Sequence, residues 1–269
     1  AGFRDAMEGM MTPPAGEVHD NDAISLQLAQ WTSIMSLVYF VVWKLSPTLV
    51  EDIPPKYRAS FADNLFNVVY IPVISYLAIK ASMELGFGLK SRWNDVTAES
   101  HMFLVLYISK NIMRTVSSVL LRDSKKGIWL IHVHHVISIG CYGTGLYLGR
   151  MHFFGVLDGV CEFSVIFLNT KLLWRDLKLR QNFWYCCNAY GLVISWFITR
   201  ILVFPAWIII FCHDIYYHPQ TTKDTVTSFE LIMYPGTTIA IWIMSIKWFF
   251  PQLNEAYQLS VGKEAAKES

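Results

Sequence analysis

The chain has 269 residues, 54% of them hydrophobic and only 16% charged, and its 22 basic and 21 acidic side chains leave a net charge of +1. A soluble domain carries about a quarter charged residues, and a nucleic-acid partner would call for a basic face; this composition points away from both. Mean hydropathy is positive, and the apolar runs predict an all-α, polytopic transmembrane helical bundle of about seven spans. Five cysteines (Cys141, Cys161, Cys186, Cys187, Cys212) form no CxxC pair, so zinc and thioredoxin chemistry are not indicated. They read as small apolar side chains buried in the bundle.

Residues 1–27 form a polar N-terminal arm. They hold no signal-peptide core, and Asp5, Glu8, Glu17, Asp20 and Asp22 argue against a transit peptide. Removal of a presequence before Ala1, or loss of only the initiator Met, both fit. A spanning helix needs about 20 mainly apolar residues. Two spans, 28–45 (closed by Ser46-Pro47) and 65–83 (kinked at Pro72), fall in a first segment, 28–92. Five more fall in a membrane domain over 93–250: 102–121, 128–148, 153–173, 184–211 with Pro205 breaking it, and 231–250. Residues 251–269 are a charged tail. Lys and Arg gather on one side, around 44–58, 122–126, 171–180 and 247–267, against Arg4, Lys80, Lys90, Arg92, Arg150 and Lys223 on the other. This bias places the N-terminus outside and the C-terminus in the cytosol or matrix. The endoplasmic reticulum is the first expectation for the membrane, the mitochondrial inner membrane the alternative.

Ionisable groups at membrane depth need a partner or a wet cavity. Three sets stand out. His132, His134 and His135 open the fourth span; an imidazole pair suits acid–base or nucleophilic work near neutrality. A metal site is the weaker reading, since His19, His101, His152, His213 and His218 make no second box, and interfacial histidines bonded to backbone or headgroups are the structural one. Asp158 and Glu162 are i and i+4 in the fifth span, so they are expected on one face, with Asn169 continuing the stripe. They serve either a polar site or a packing zipper. Arg114, with Lys110 and Asn111 a turn earlier, and Arg200 are placed to neutralise those acids or to clamp a phosphate. Structural ion pairing is the favoured reading for each arginine, and snorkelling accounts for Lys110 or Lys171 near an interface.

The order of these residues carries a resemblance. A His134-His135 pair precedes Asp158 and Glu162, followed by Phe163-Ser164-Val165-Ile166-Phe167-Leu168-Asn169, and then by Phe197-Ile198-Thr199-Arg200-Ile201 with Pro205 beyond. This resembles the TLC-domain family, which holds the ceramide synthases, the translocating-chain-associating proteins and smaller lipid-linked TLC proteins. The resemblance covers about 93–248. In the synthases it implies acyl-CoA-dependent N-acylation, with His134, His135, Asp158 and Glu162 as the catalytic set, the carboxylates orienting the imidazoles. Asn111, Arg114, Ser138, Asn169 and Arg200 would bind lipid or substrate. Ser138 stands where the synthases carry Thr, Asn111 where they carry Asp, and Phe154-Gly155 where they carry His-Asp.

Three functions follow as expectations. One is an acyl transferase acting on acyl lipids or sphingolipids, with acyl-CoA as co-substrate, no bound cofactor and no metal. Another is a non-catalytic lipid-binding protein with an acyl chain in the bundle. The last is a structural subunit of a larger membrane complex, such as one of an energy-transducing membrane. Membrane lipids are the expected partners, with membrane-protein partners or a homo-oligomer possible in each case, and no nucleic acid.

Overall fold

The computed structural model describes residues 20–49, 57–121, 128–179 and 183–261. Most of the polar arm, the end of the charged tail, and Arg4, Lys56, Arg122, Lys125, Lys126, Arg180, Lys263 and Lys267 of the charge-bias argument lie outside the described residues.

Among the described residues the regular elements are all helical. Helix α1 (Asn21–Leu49) starts inside the expected arm, because the Asp20 carboxylate accepts from the backbone N–H of Asp22 (3.0 Å) and Ala23 (3.1 Å) and so satisfies free donors of the first turn. It also runs past Pro47 instead of closing there. Pro47 cannot donate to the Trp43 carbonyl; the Ser46 hydroxyl does so, at 2.8 Å. Helix α2 (Arg58–Leu85) runs unbroken through Pro72. A short α3 (Leu89–Asn94) leads to α4 (Ala98–Leu120), which opens on a reciprocal Thr97–Ser100 capping box. Helix α5 (Ile128–Leu148) follows.

The fifth span is not one continuous helix. It divides into α6 (His152–Gly159) and α7 (Glu162–Asp176). Across the junction the backbone tightens to i→i−3 bonds: Cys161 N–H to Asp158 O at 3.2 Å, Phe163 to Val160 at 3.1 Å, Ser164 to Cys161 at 3.2 Å. Gly159 sits at this junction against α4, where an added Cβ would lie 2.2 Å from Cζ of Phe103. The sixth span stays continuous where Pro205 predicted a break. Helix α8 (Phe183–Trp196) passes through a π-helical turn, Phe197–Leu202, into α9 (Val203–Tyr217). The wider turn sits just ahead of Pro205, where the proline ring would otherwise meet the carbonyl four residues back. Helix α10 (Pro219–Thr225) and α11 (Ser228–Ser260, started by a Thr227–Glu230 capping box) complete the chain.

Five stretches are long and apolar enough to cross a membrane: α1, α2, α6–α7, α8–α9 and α11. Helices α4 and α5, with 23 and 21 residues, reach about 34 and 32 Å at 1.5 Å per residue. They are long enough to span, but their charged and histidine residues make them less apolar than the rest. The seven expected rods are therefore present, five of them by length and apolarity together. All five cysteines are free. Cys187 and Cys212 are exposed on outward faces, contrary to the expectation that all are buried, and the other three are half-buried.

One end of the bundle is closed. Trp93, Phe154, Trp207 and Phe211 form an aromatic plug joining α3, α6 and α9, with Trp207 stacked on Phe211 at 4.8 Å and edge-on to Phe154 at 5.1 Å. Buried ion pairs tie it down. Arg92 donates to both oxygens of the fully buried Asp214, at 2.7 and 2.5 Å, and the Trp93 indole adds a third bond at 2.8 Å. Arg150 holds Glu230 at 2.8 and 2.7 Å.

Removing one partner of a buried pair leaves a charge that nothing compensates. Asp214→Ala should therefore destabilise the detergent-solubilised protein by about 3–5 kcal/mol. Lys90→Ala, which breaks an exposed pair with Asp95, should cost less than about 1 kcal/mol. Chemical or thermal unfolding followed by tryptophan fluorescence compares the two.

Candidate functional site

A cleft lies between α5 and α11, about 560 Å³ with the open space at its mouth included. Helix α5 packs on α4 and lightly on α6, but not closely against α11, so the cleft opens sideways, in the direction that faces lipid. Ile137, Cys141, Tyr142 and Gly145 of α5 form one wall; Tyr234, Thr237, Thr238 and Ile241 of α11 form the other. Leu104, Phe154 and Trp207 line it from behind, and Met151 closes its end. The lining is mainly apolar. Its acid is Asp158, whose Oδ2 accepts from Thr238 at a long 3.5 Å and whose buried Oδ1 has no hydrogen-bond partner. Ser138 lines the same cleft.

Below the cleft, α4 and α5 are joined by two matched bonds. His132 Nε2 meets the Ser118 hydroxyl at 2.5 Å, and His135 Nδ1 meets the Thr115 hydroxyl at 3.1 Å. Both pairs are three residues apart on their helices, so each presents neighbouring groups on one face. The sequence reading singled out the histidines but not Thr115 and Ser118; the matched spacing was the available signal. His134 stays half-buried beside His135, ring centres 5.9 Å apart. The charges of Lys110 and Arg200 act on the His134 ring, and those of Lys110 and Arg114 on His135.

The carboxylates do not orient the imidazoles directly: among the described residues no hydrogen bond joins His134 or His135 to Asp158 or Glu162. The turn at Val160–Cys161 lies between the two acids, and both act on the Tyr142 hydroxyl. Asp158 lines the cleft, and Glu162 acts also on the hydroxyls of Tyr70 and Tyr107, on α2 and α4. Arg114 neutralises neither; its Nε lies 3.2 Å from Asp63 on α2, a residue the sequence reading did not nominate. Arg200, in the π turn, donates to the Ser164 hydroxyl at 3.0 Å and lies over the Trp196 ring at 4.5 Å. Asn111 and Ser138 are both buried, near the Tyr107 hydroxyl. Asn169 is turned back on its own helix, donating to the Val165 carbonyl at 2.9 Å. Lys171 is held by Glu255 (2.5 Å) and Gln252 (2.6 Å) of α11, a tie that replaces snorkelling. No cluster of three metal-ligating side chains occurs among the described residues.

A family model of the TLC domain matches residues 60–253. The chain belongs to the TLC-domain family. The matched region starts inside α2, one long helix earlier than the 93–250 segment, so the TLC domain here includes the helix that supplies Asp63. Among curated relatives, the human TLC domain-containing protein 1 is 20% identical over 142 residues, 53% of this chain and 54% of that protein. Its mouse counterpart is 22% identical over 125 residues, 46% and 49% of the two chains. The rat counterpart is 29% identical over 87 residues, 32% and 35%. The chain thus spans about half the length, or less, of the curated relatives it matches. Family and apolar helices together make it an integral membrane protein.

The Arg114–Asp63 pair tethers α4 to α2 inside the TLC domain. Asp63→Ala should destabilise by about 3 kcal/mol by removing the carboxylate that faces the buried guanidinium. Adding Arg114→Met should recover part of that loss. Unfolding midpoints of the two single variants and the double variant measure the coupling.

Proposed function

We propose that this TLC-domain protein binds a membrane lipid, taking an acyl chain sideways into the cleft between α5 and α11. The observation that carries the reading is the cleft itself. It is apolar, open laterally and backed by an aromatic plug. Its few polar groups, Asp158, Ser138, Thr237 and Thr238, are placed to orient the polar part of a lipid rather than to solvate it. The unpaired Oδ1 of Asp158 leaves an acceptor for a hydroxyl or N–H of the occupant.

Native mass spectrometry of the protein extracted in mild detergent tests this. The wild type should carry a co-purified lipid. Thr238→Trp, which fills the cleft from the α11 wall, should lower the lipid-bound fraction at least about fivefold, since a bulky ring displaces the chain's apolar contacts. An unchanged lipid load in that variant would sink the cleft as the site.

A second reading, acyl-CoA-dependent acyl transfer, draws support from His135, whose Nδ1 contact with Thr115 fixes the ring beside His134. In that reaction one imidazole would take the proton of an acceptor amine, or accept the acyl group as the thioester C–S bond breaks. Asp158 and Glu162 would contribute through charge and not through hydrogen bonds to the imidazoles. Turnover of a long-chain acyl-CoA should fall by about 10²-fold or more in His134→Ala and His135→Ala. Full activity in both would remove the catalytic assignment and leave the lipid-binding one.

A further inference from the structure

The cleft changes character along its length. Met151 and Phe154 line its closed end, and one turn further along α6 Asp158 lines it, in contact with Thr238 of α11 at 3.5 Å. Asp158 lies about 9 Å along from His152, and Thr238 about 15 Å along from Ser228, at 1.5 Å per residue. Both depths fall within a hydrocarbon layer about 30 Å thick. The polar end of the cleft is thus its deeper end, the reverse of a bilayer lipid, whose polar end lies at the surface. An occupant seated on Asp158 keeps its polar end in hydrocarbon.

Three observations bear on the chemistry of that polar end. No Lys, Arg or His is among the described residues that line the cleft, so a phosphate there would lack the cation that such depth requires. Neighbouring donors are already engaged: the Thr237 hydroxyl with the Tyr234 carbonyl at 2.9 Å, the Tyr234 hydroxyl with Glu230 at 3.1 Å, and the Trp207 indole with the Phe154 carbonyl at 2.9 Å. Asp158 Oδ1 is buried without a partner, which is costly. One open acceptor matches one donor. A hydroxyl brings one donor, whereas an ammonium brings three and a charge whose desolvation an ion pair must also offset.

We propose that the α5–α11 cleft selects an uncharged long-chain lipid whose polar end is a free hydroxyl, donated to Asp158 Oδ1. The assignment rests on the cleft reading above and adds the class of lipid to it.

The test is a competition in mild detergent among octadecanol, its methyl ether, octadecylamine and octadecyl phosphate, which share the same chain. Retained lipid is counted by native mass spectrometry on the full chain. The wild type should retain the alcohol about tenfold over the ether, the size of one hydrogen bond to a charged group, and over the phosphate by at least as much. Asp158→Leu should bring alcohol and ether to equal retention with the ether still bound. Asp158→Asn, which keeps an acceptor oxygen, should preserve the preference. Equal retention of alcohol and ether by the wild type, or a preference that survives in Asp158→Leu, would overturn the hydroxyl site and leave the cleft standing. Preferred retention of the amine, lost in Asp158→Asn, or of the phosphate would overturn it in favour of a charged headgroup. If the wild type retains none of these lipids, the cleft reading falls and the lipid class falls with it.

Discussion

A hydrocarbon core supplies neither water nor counter-ions, so every polar group carried into it must find its partner on another helix. Helix α4 shows how much of this fold follows from that constraint. It is the polar rod of the bundle, and its side chains reach its neighbours. Glu99 meets Lys80 and Arg114 meets Asp63, both on α2, and Thr115 and Ser118 meet two histidines on α5. Its backbone takes part as well, the Leu106 carbonyl accepting from Tyr70 of α2 at 2.8 Å. Each contact removes a group that lipid would reject, and together they set the position of α4 against α2 and α5.

The same constraint explains why the two sides of the cleft differ. Behind it, Trp207, Phe211, Phe154 and Trp93 interlock, and the Arg92–Asp214 and Arg150–Glu230 pairs clamp α3 and the start of α11 over that end. In front, α5 leans on α4 through the histidine ladder and leaves α11 at a distance. A gap between two helices that face hydrocarbon need not be sealed by protein, since lipid tails fill it as well as leucine does. Leaving a buried Asp158 oxygen unbonded in such a gap is costly unless it receives a partner, which is the physical basis of the lipid-binding proposal.

Much of this was legible in the sequence. Apolar run lengths announced the rods, and the order His134-His135, Asp158, Glu162, Arg200 announced the TLC domain. Polar residues at membrane depth marked α4, α5, α6 and α7 as the interior. Local rules failed where one residue's chemistry was compensated by another. Pro47 read as a stop and Pro205 as a break within one long span, but the Ser46 hydroxyl and a π turn absorb them. The fifth span read as one helix, but close packing of Gly159 on Phe103 accompanies a tightened turn between Asp158 and Glu162.

The sequence by itself determined that the chain is a helical membrane protein of the TLC kind and which residues are too polar to face lipid, because hydropathy and helical spacing are local properties. The tertiary structure alone decided the pairings. Arg114 pairs with Asp63 rather than with either nominated acid, and Lys171 pairs with Glu255 rather than with an interface. Arg200 turns to Ser164 and the Trp196 ring, and the chain folds into a bundle with a sideways cleft. Each of these is a choice among several chemically equivalent partners, and the distance between helices, which no local pattern encodes, makes it.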